Sequence, residues 1–199
     1  PDFETYLNNN YEHLFSQNGE IYGPQRMPLT FKGIEKFRKI FFLRDPRDML
    51  ISAYYSFGFT HVMPESKIIA ESFTESRETI QSQTIDEYVL TQSIKWAKPM
   101  FEQYEYLHKN TEDKIFLTYN HYISDTKNFI NNILNYFDIQ DDKLVNKLFI
   151  QANPLQDKEK ISSHKRSGKS NQWKGKLLKE TQIKLNKNLS SVLNYWNFT

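Results

Sequence analysis

The chain contains no cysteine. That excludes a disulfide framework and a thiolate-held metal site, and it argues against a secreted or lumenal setting. No apolar run approaches the length of a membrane span, so no membrane association is expected. Excess charge is also missing. The formal balance is +2 over 199 residues, too little for a protein whose main task is to coat nucleic acid. Glycine is scarce, with six in all, whereas Lys, Asn, Ile, Phe and Tyr abound. That is the bias of an AT-rich genome, so Asn or Lys richness carries no functional meaning by itself. On the same ground, the glycosylation-type triplets Asn188-Leu189-Ser190 and Asn197-Phe198-Thr199 are read as chance matches. No pair of histidines has metal-ligand spacing, and no metal is predicted. The chain opens Pro1-Asp2-Phe3 without an initiator methionine or a signal peptide. It reads as a cytoplasmic protein whose N-terminus has been trimmed.

Bulky side chains are plentiful instead. Aromatics make up 15% of the chain, enough for one domain, residues 1–199, with a real core. The most informative stretch lies at residues 39–57. Ile40 to Leu43 is an apolar run of strand length, and the strand is expected over 39–44. Asp45 is a good N-cap, Pro46 suits the first helical position, and Asp48 complements the helix dipole, so a helix is expected over 46–57. Arg44 then stands at the carboxyl end of a strand beside a helix N-terminus, where open α/β sheets bind anions. Together with Ser52 it forms a candidate phosphate site. Arg47 and Asp48 are assigned to the helix end rather than to a ligand.

Elsewhere the pattern is mostly helical. Tyr6 to Phe15 reads as a short helix, and Gly23-Pro24 as a turn. Residues 58–83 are polar with little apolar periodicity, and are expected as a long loop or two short helices. Thr84-Ile85-Asp86-Glu87 is a capping box. It opens a helix with Ala97, Met100, Phe101, Tyr104 and Leu107 on one face, kinked or divided at Pro99. Lys114–Tyr119 is a second buried strand. Phe129, Ile130, Ile133, Leu134 and Phe137 stripe the next helix, and Leu144, Leu148 and Phe149 another. Residues 152–176 read as an exposed loop. Leu185, Leu189, Val192, Leu193 and Trp196 mark a final helix. Strands separated by helices predict a parallel α/β sheet with crossover helices.

The loop His164–Trp173 gathers Lys165, Arg166 and Lys169 with Ser167, Gly168 and Ser170. Arginine can fork onto a phosphate, and glycine lets backbone N–H groups approach an anion. The same composition also suits a plain solvated basic loop. The Walker A spacing is absent, which removes a P-loop kinase from contention.

Residues 41–57, F-F-L-R-D-P-R-D-M-L-I-S-A-Y-Y-S-F, resemble the 3′-phosphate motif of the sulfotransferases that use 3′-phosphoadenosine 5′-phosphosulfate (PAPS). Residues 166–173, R-S-G-K-S-N-Q-W, resemble that family's late R-K-G-x-x-G-D-W motif, with Ser167, Asn171 and Gln172 in place of the commoner Lys, Gly and Asp. The strand ending at Tyr119, followed by Asn120-His121-Tyr122, is similar to the family's Y-E-D-L segment, its acidic pair replaced. Order and spacing agree over residues 39–196. The resemblance implies a P-loop-NTPase-like parallel sheet flanked by helices. It also implies a 3′-phosphate held by Arg44, Ser52, Arg166, Ser167 and the backbone at Gly168, with Tyr119 beside adenine. The reaction implied is sulfuryl transfer from PAPS to a hydroxyl or amine of a small-molecule or carbohydrate acceptor, releasing 3′-phosphoadenosine 5′-phosphate (PAP).

Nothing in residues 1–38 resembles the family's 5′-phosphosulfate loop. Two explanations follow: N-terminal truncation, or a remnant that binds PAP or another nucleotide without transferring. Transfer needs a base, and histidine suits that role near neutral pH. The candidates are His61, where family members build the acceptor pocket, and His13, in the interval where the family places its base. Glu12 and Glu20 are alternatives there. Arg26 is a further cation within reach of an anionic site. His108 is read as a helix-end residue, and His121 as part of the turn after the second strand.

Overall fold

A computed structural model of the chain describes residues 3–15, 19–25, 27–152 and 168–198. Helix α1 (Phe3–Leu14) leads, through a 3₁₀ turn at Ile34–Lys36, to strand β1 (Lys39–Leu43). Helix α2 (Pro46–Tyr55) follows and widens into a π-helical turn, Ser56–Thr60. Next come α3 (Lys67–Gln81), α4 (Ile85–Gln92), a second π turn at Ser93–Ala97, and α5 (Lys98–Lys109). Strand β2 (Lys114–Thr118) precedes α6 (Tyr119–Ser124), α7 (Thr126–Tyr136) and α8 (Asp142–Ala152). The described chain closes with α9 (Trp173–Lys176), α10 (Lys179–Asn188) and α11 (Ser190–Tyr195).

β1 and β2 pair in parallel, Lys39 opposite Lys114 through Leu43 opposite Thr118. Helices α2 to α5 make the crossover, since parallel neighbours cannot be joined by a tight turn. The expected parallel sheet is therefore present, but among the described residues it has two strands, and the fold around it is mixed and helix-rich. No helix among the described residues is long and apolar enough to cross a membrane.

The strand period of two sorts the core. Phe41 and Leu43 face a cluster with Leu50, Ile51, Phe101, Leu185 and Val192. Ile40 faces the other way, toward Leu117, Phe129, Ile130, Leu134 and Val145. Phe42 belongs to that second face and is half exposed, flanked by Tyr122 and Phe129, so the run Ile40–Leu43 is not buried throughout. At the other end of the strand, the Lys39 ammonium donates to the Ile34 and Phe37 carbonyls. Burial pushes its pKa down to about 8 against the pull of Glu35.

Several boundaries depart from expectation for local reasons. Residues 67–81 form one long helix rather than a loop or two short helices, although none of its side chains is buried. The helix running past Pro99 is divided, but by the π turn at 93–97, which leaves Pro99 in the first turn of α5, where its missing N–H costs least. The last apolar stripe spans two helices that break at Leu189, and Leu185, Leu189, Val192, Leu193 and Trp196 all stay buried. In α8 the buried residue is Val145, while Phe149 is exposed. Trp173 is buried, anchoring the loop before it.

Candidate functional site

Leu43 ends β1, and the chain turns at Asp45, whose carboxylate accepts the Arg47 N–H at 2.8 Å and caps α2. The turn leaves Arg44 at the carboxyl end of the sheet. Its Nη2 donates to the Lys169 carbonyl at 3.1 Å, and its guanidinium carbon lies 4.5 Å from the centre of the Tyr119 ring. Tyr119 is the first residue of α6, not the last of β2. Thr118 caps that helix by accepting the His121 N–H at 3.1 Å. Three segments far apart in sequence thus meet at one end of the sheet: Arg44, Tyr119 and the loop entering α9. A guanidinium lying over a flat ring suits an anion attached to a planar base, while the Lys169 carbonyl accepts one of the guanidinium N–H groups.

The loop's shape suits that role. Gly168 has φ 62° and Asn171 φ 57°, left-handed values that favour glycine and are tolerated by asparagine. Its far end is held from α2. The Asp48 carboxylate accepts the Asn171 N–H at 2.6 Å and the Trp173 N–H at 3.1 Å. Burial raises the Asp48 pKa above the usual carboxylate range; nearby Arg44 and the backbone donors at Trp173 and Asn171 oppose the rise.

Arg47 is buried and faces inward. It pairs with Asp45 (2.6 Å), donates to Asn186 Oδ1 (2.8 Å) and the Phe198 carbonyl (3.1 Å), and lies 4.0 Å over the Trp173 ring. Its partners are the cap residue of its own helix and groups near the C-terminus. Asp48 departs from its expected role, since its bonds go to the loop and not to its own helix end. Ser52 lies further along α2, half-buried. Arg166, Ser167, His164 and Arg26 lie outside the described residues.

The candidate bases stand apart from this cluster. His61 follows the π turn; its N–H bonds the Ser56 carbonyl, and its ring lies between Phe57 (5.5 Å) and Phe73 (5.6 Å). Its carbonyl accepts from Arg77. His13 is exposed in the last turn of α1. No described hydrogen bond or ring contact joins either histidine to Arg44. His121 lies in α6 directly after β2, where its N–H meets the Thr118 cap in place of the expected turn. His108 is not a plain helix-end residue: it is packed among Phe41, Phe116, Tyr195 and Trp196 and bonded to the Tyr195 hydroxyl at 2.8 Å. A cavity of about 410 Å³ opens at the other, amino end of the sheet, lined by Phe31, Ile34, Tyr106, Leu107 and Thr111 among others. None of the sequence-predicted site residues lines it.

An arginine, a tyrosine and the loop before α9 are gathered at the carboxyl end of a parallel strand pair, the end at which open α/β sheets commonly receive ligands. A family model for the sulfotransferase domain matches residues 29–194, and the chain belongs to that family. No curated protein matches this chain.

Proposed function

We propose that this domain takes PAPS as its sulfuryl donor and holds the donor's 3′-phosphate at Arg44. The observation that carries the reading is the convergence of Arg44, Tyr119 and the loop backbone at Lys169. Arg44 supplies the fork of charged donors, Ser52 a hydroxyl, and Tyr119 a ring for adenine. Arg166, Ser167 and the backbone at Gly168 complete the phosphate clasp. In the reaction, an acceptor hydroxyl or amine attacks sulfur in line, the bond from sulfur to the 5′-phosphate oxygen breaks, and PAP leaves with the electron pair. A base takes the acceptor proton; His61 and His13 are the candidates. The acceptor is a small molecule or a carbohydrate.

Calorimetric titration with PAP, against 5′-AMP lacking the 3′-phosphate, tests the donor site. PAP should bind preferentially. A charge-assisted contact is worth roughly 1.5–3 kcal/mol, so Arg44→Ala should weaken PAP by about tenfold or more while leaving 5′-AMP unchanged. Equal affinity for the two nucleotides would refute the site. PAP binding without transfer from PAPS to any hydroxyl or amine acceptor would instead make the domain a nucleotide-binding remnant.

A further inference from the structure

The carboxylate of Asp48 is almost fully buried, 1% exposed, yet both its oxygens are committed to a segment more than a hundred residues away. Oδ2 takes the Asn171 N–H and Oδ1 the Trp173 N–H. Those two N–H groups therefore point into the protein and cannot face a ligand. The left-handed turn at Asn171 separates them from the Gly168 end of the loop. Just before the α2 cap, Arg44 holds the Lys169 carbonyl, and Gln172 Nε2 donates to that same carbonyl at 2.8 Å. The loop is gripped at its far half by a carboxylate from the first turn of α2 and at its middle by a cation from the end of β1, just before the α2 cap. Trp173 is fixed as well, beneath the Arg47 guanidinium.

We infer that Asp48 is a positioning residue that presets the 168–173 loop, so that its Gly168 half and Arg44 face one phosphate together. The inference rests on the donor-site reading for what the loop receives, but not for how it is held. Asp48 touches no ligand: it acts by holding two backbone amides. A carboxylate is needed because both contacts demand an acceptor. An amide in its place offers one oxygen and turns an N–H toward the second donor, while a methyl group offers nothing. The effect should therefore be graded, with Asp48→Ala worse than Asp48→Asn.

Two measurements on the full chain decide the matter. The first is residue-resolved amide hydrogen exchange without nucleotide. In the unaltered chain the amides of Asn171 and Trp173 should be protected relative to that of Ser170. In Asp48→Asn they should exchange about tenfold faster or more. The second is the Kd for PAP, which should rise by about tenfold or more in Asp48→Asn. Val192→Ala, a truncation in the core that removes none of the loop's hydrogen bonds, controls for lost stability and should leave the Kd within about twofold at a comparable loss of Tm. Amides 171 and 173 exchanging as fast as that of Ser170 in the unaltered chain would overturn the inference, and that comparison needs no variant to fold. So would a PAP loss in Val192→Ala that matches Asp48→Asn. An unaltered chain that ignores PAP refutes the donor reading alone, and the exchange data then decide whether Asp48 holds the loop.

Discussion

Asn171 shows what one side chain does for this site. Its φ of 57° lies in the left-handed region, which costs an ordinary L-residue roughly 1–2 kcal/mol. Related sulfotransferases commonly carry glycine there, and the change to asparagine reads in sequence as a departure from the motif. The backbone removes the conflict, because asparagine is the side chain that best tolerates the conformation glycine adopts freely. Asn171→Gly should therefore leave stability within about 0.5 kcal/mol. Asn171→Val should cost roughly 1–2 kcal/mol in chemical denaturation, since a β-branched residue fits the left-handed region poorly. Equal stability of the two variants would show that the turn relaxes out of that conformation. The same residue-scale reasoning explains what sequence reading missed in Asp48. An acid in a first helical turn is ordinarily explained by the dipole. Only the position of residues 171 and 173 shows that this one has other partners.

Elements whose cause lies within four residues were legible in the sequence. The capping box is the plainest: Thr84 Oγ1 accepts the Glu87 N–H at 3.2 Å, and the Glu87 carboxylate accepts the Thr84 N–H at 2.8 Å. Thr84→Ala should lower stability by about 1 kcal/mol, read as an earlier midpoint in urea with an unchanged slope. No shift would mean that packing alone fixes the start of α4. The caps at Asp45 and the stripe of α7 were legible for the same reason. Helix α3 was not, because it buries no stripe. It is tied down through bonds to the preceding turn: Arg77 to the Phe57 and His61 carbonyls, and Gln81 to the Gly58 carbonyl at 2.7 Å. Its apolar contacts are few, Ile80 on the main core and Phe73 on the His61 ring, so the stripe is thin among polar neighbours. The π turns are equally silent, since nothing in composition distinguishes a bond to the fifth residue from one to the fourth. The break at Leu189 escaped notice because both short helices keep their apolar residues on the same side of the core.

At the scale of the molecule, the site joins residues 44, 119 and 168–173, and no local pattern brings such distant segments together. Their meeting was legible only through resemblance to a family in which all three segments serve one nucleotide. Strand and helix signals alone placed Arg44 at an anion-binding end of a sheet and left the basic loop ambiguous. Global stability carries a separate signature in His108, which sits where α5, both strands and α11 converge. Its imidazole is bonded to the Tyr195 hydroxyl and ringed by Phe41, Phe116, Tyr195 and Trp196. Burial, helped by the charge of Lys114, lowers its pKa below the ordinary histidine value of 6.5. Lys109, lying over the Tyr195 ring, is paired with Glu105 at 2.5 Å and brings little net charge. Between the lowered folded value and 6.5, the unfolded chain binds a proton that the folded chain does not, so stability rises with pH across that window. The contribution is complete above pH 6.5 and is lost as the pH falls through the folded value. His108→Gln, which can still meet the Tyr195 hydroxyl, removes the titration. Its Tm should decline less than that of the unaltered chain between pH 7 and 5, with carboxylate titration common to both. If the two Tm curves stay parallel over that range, the His108 ring is as readily protonated in the folded protein as in the unfolded chain, and the aromatic cage around it excludes no charge.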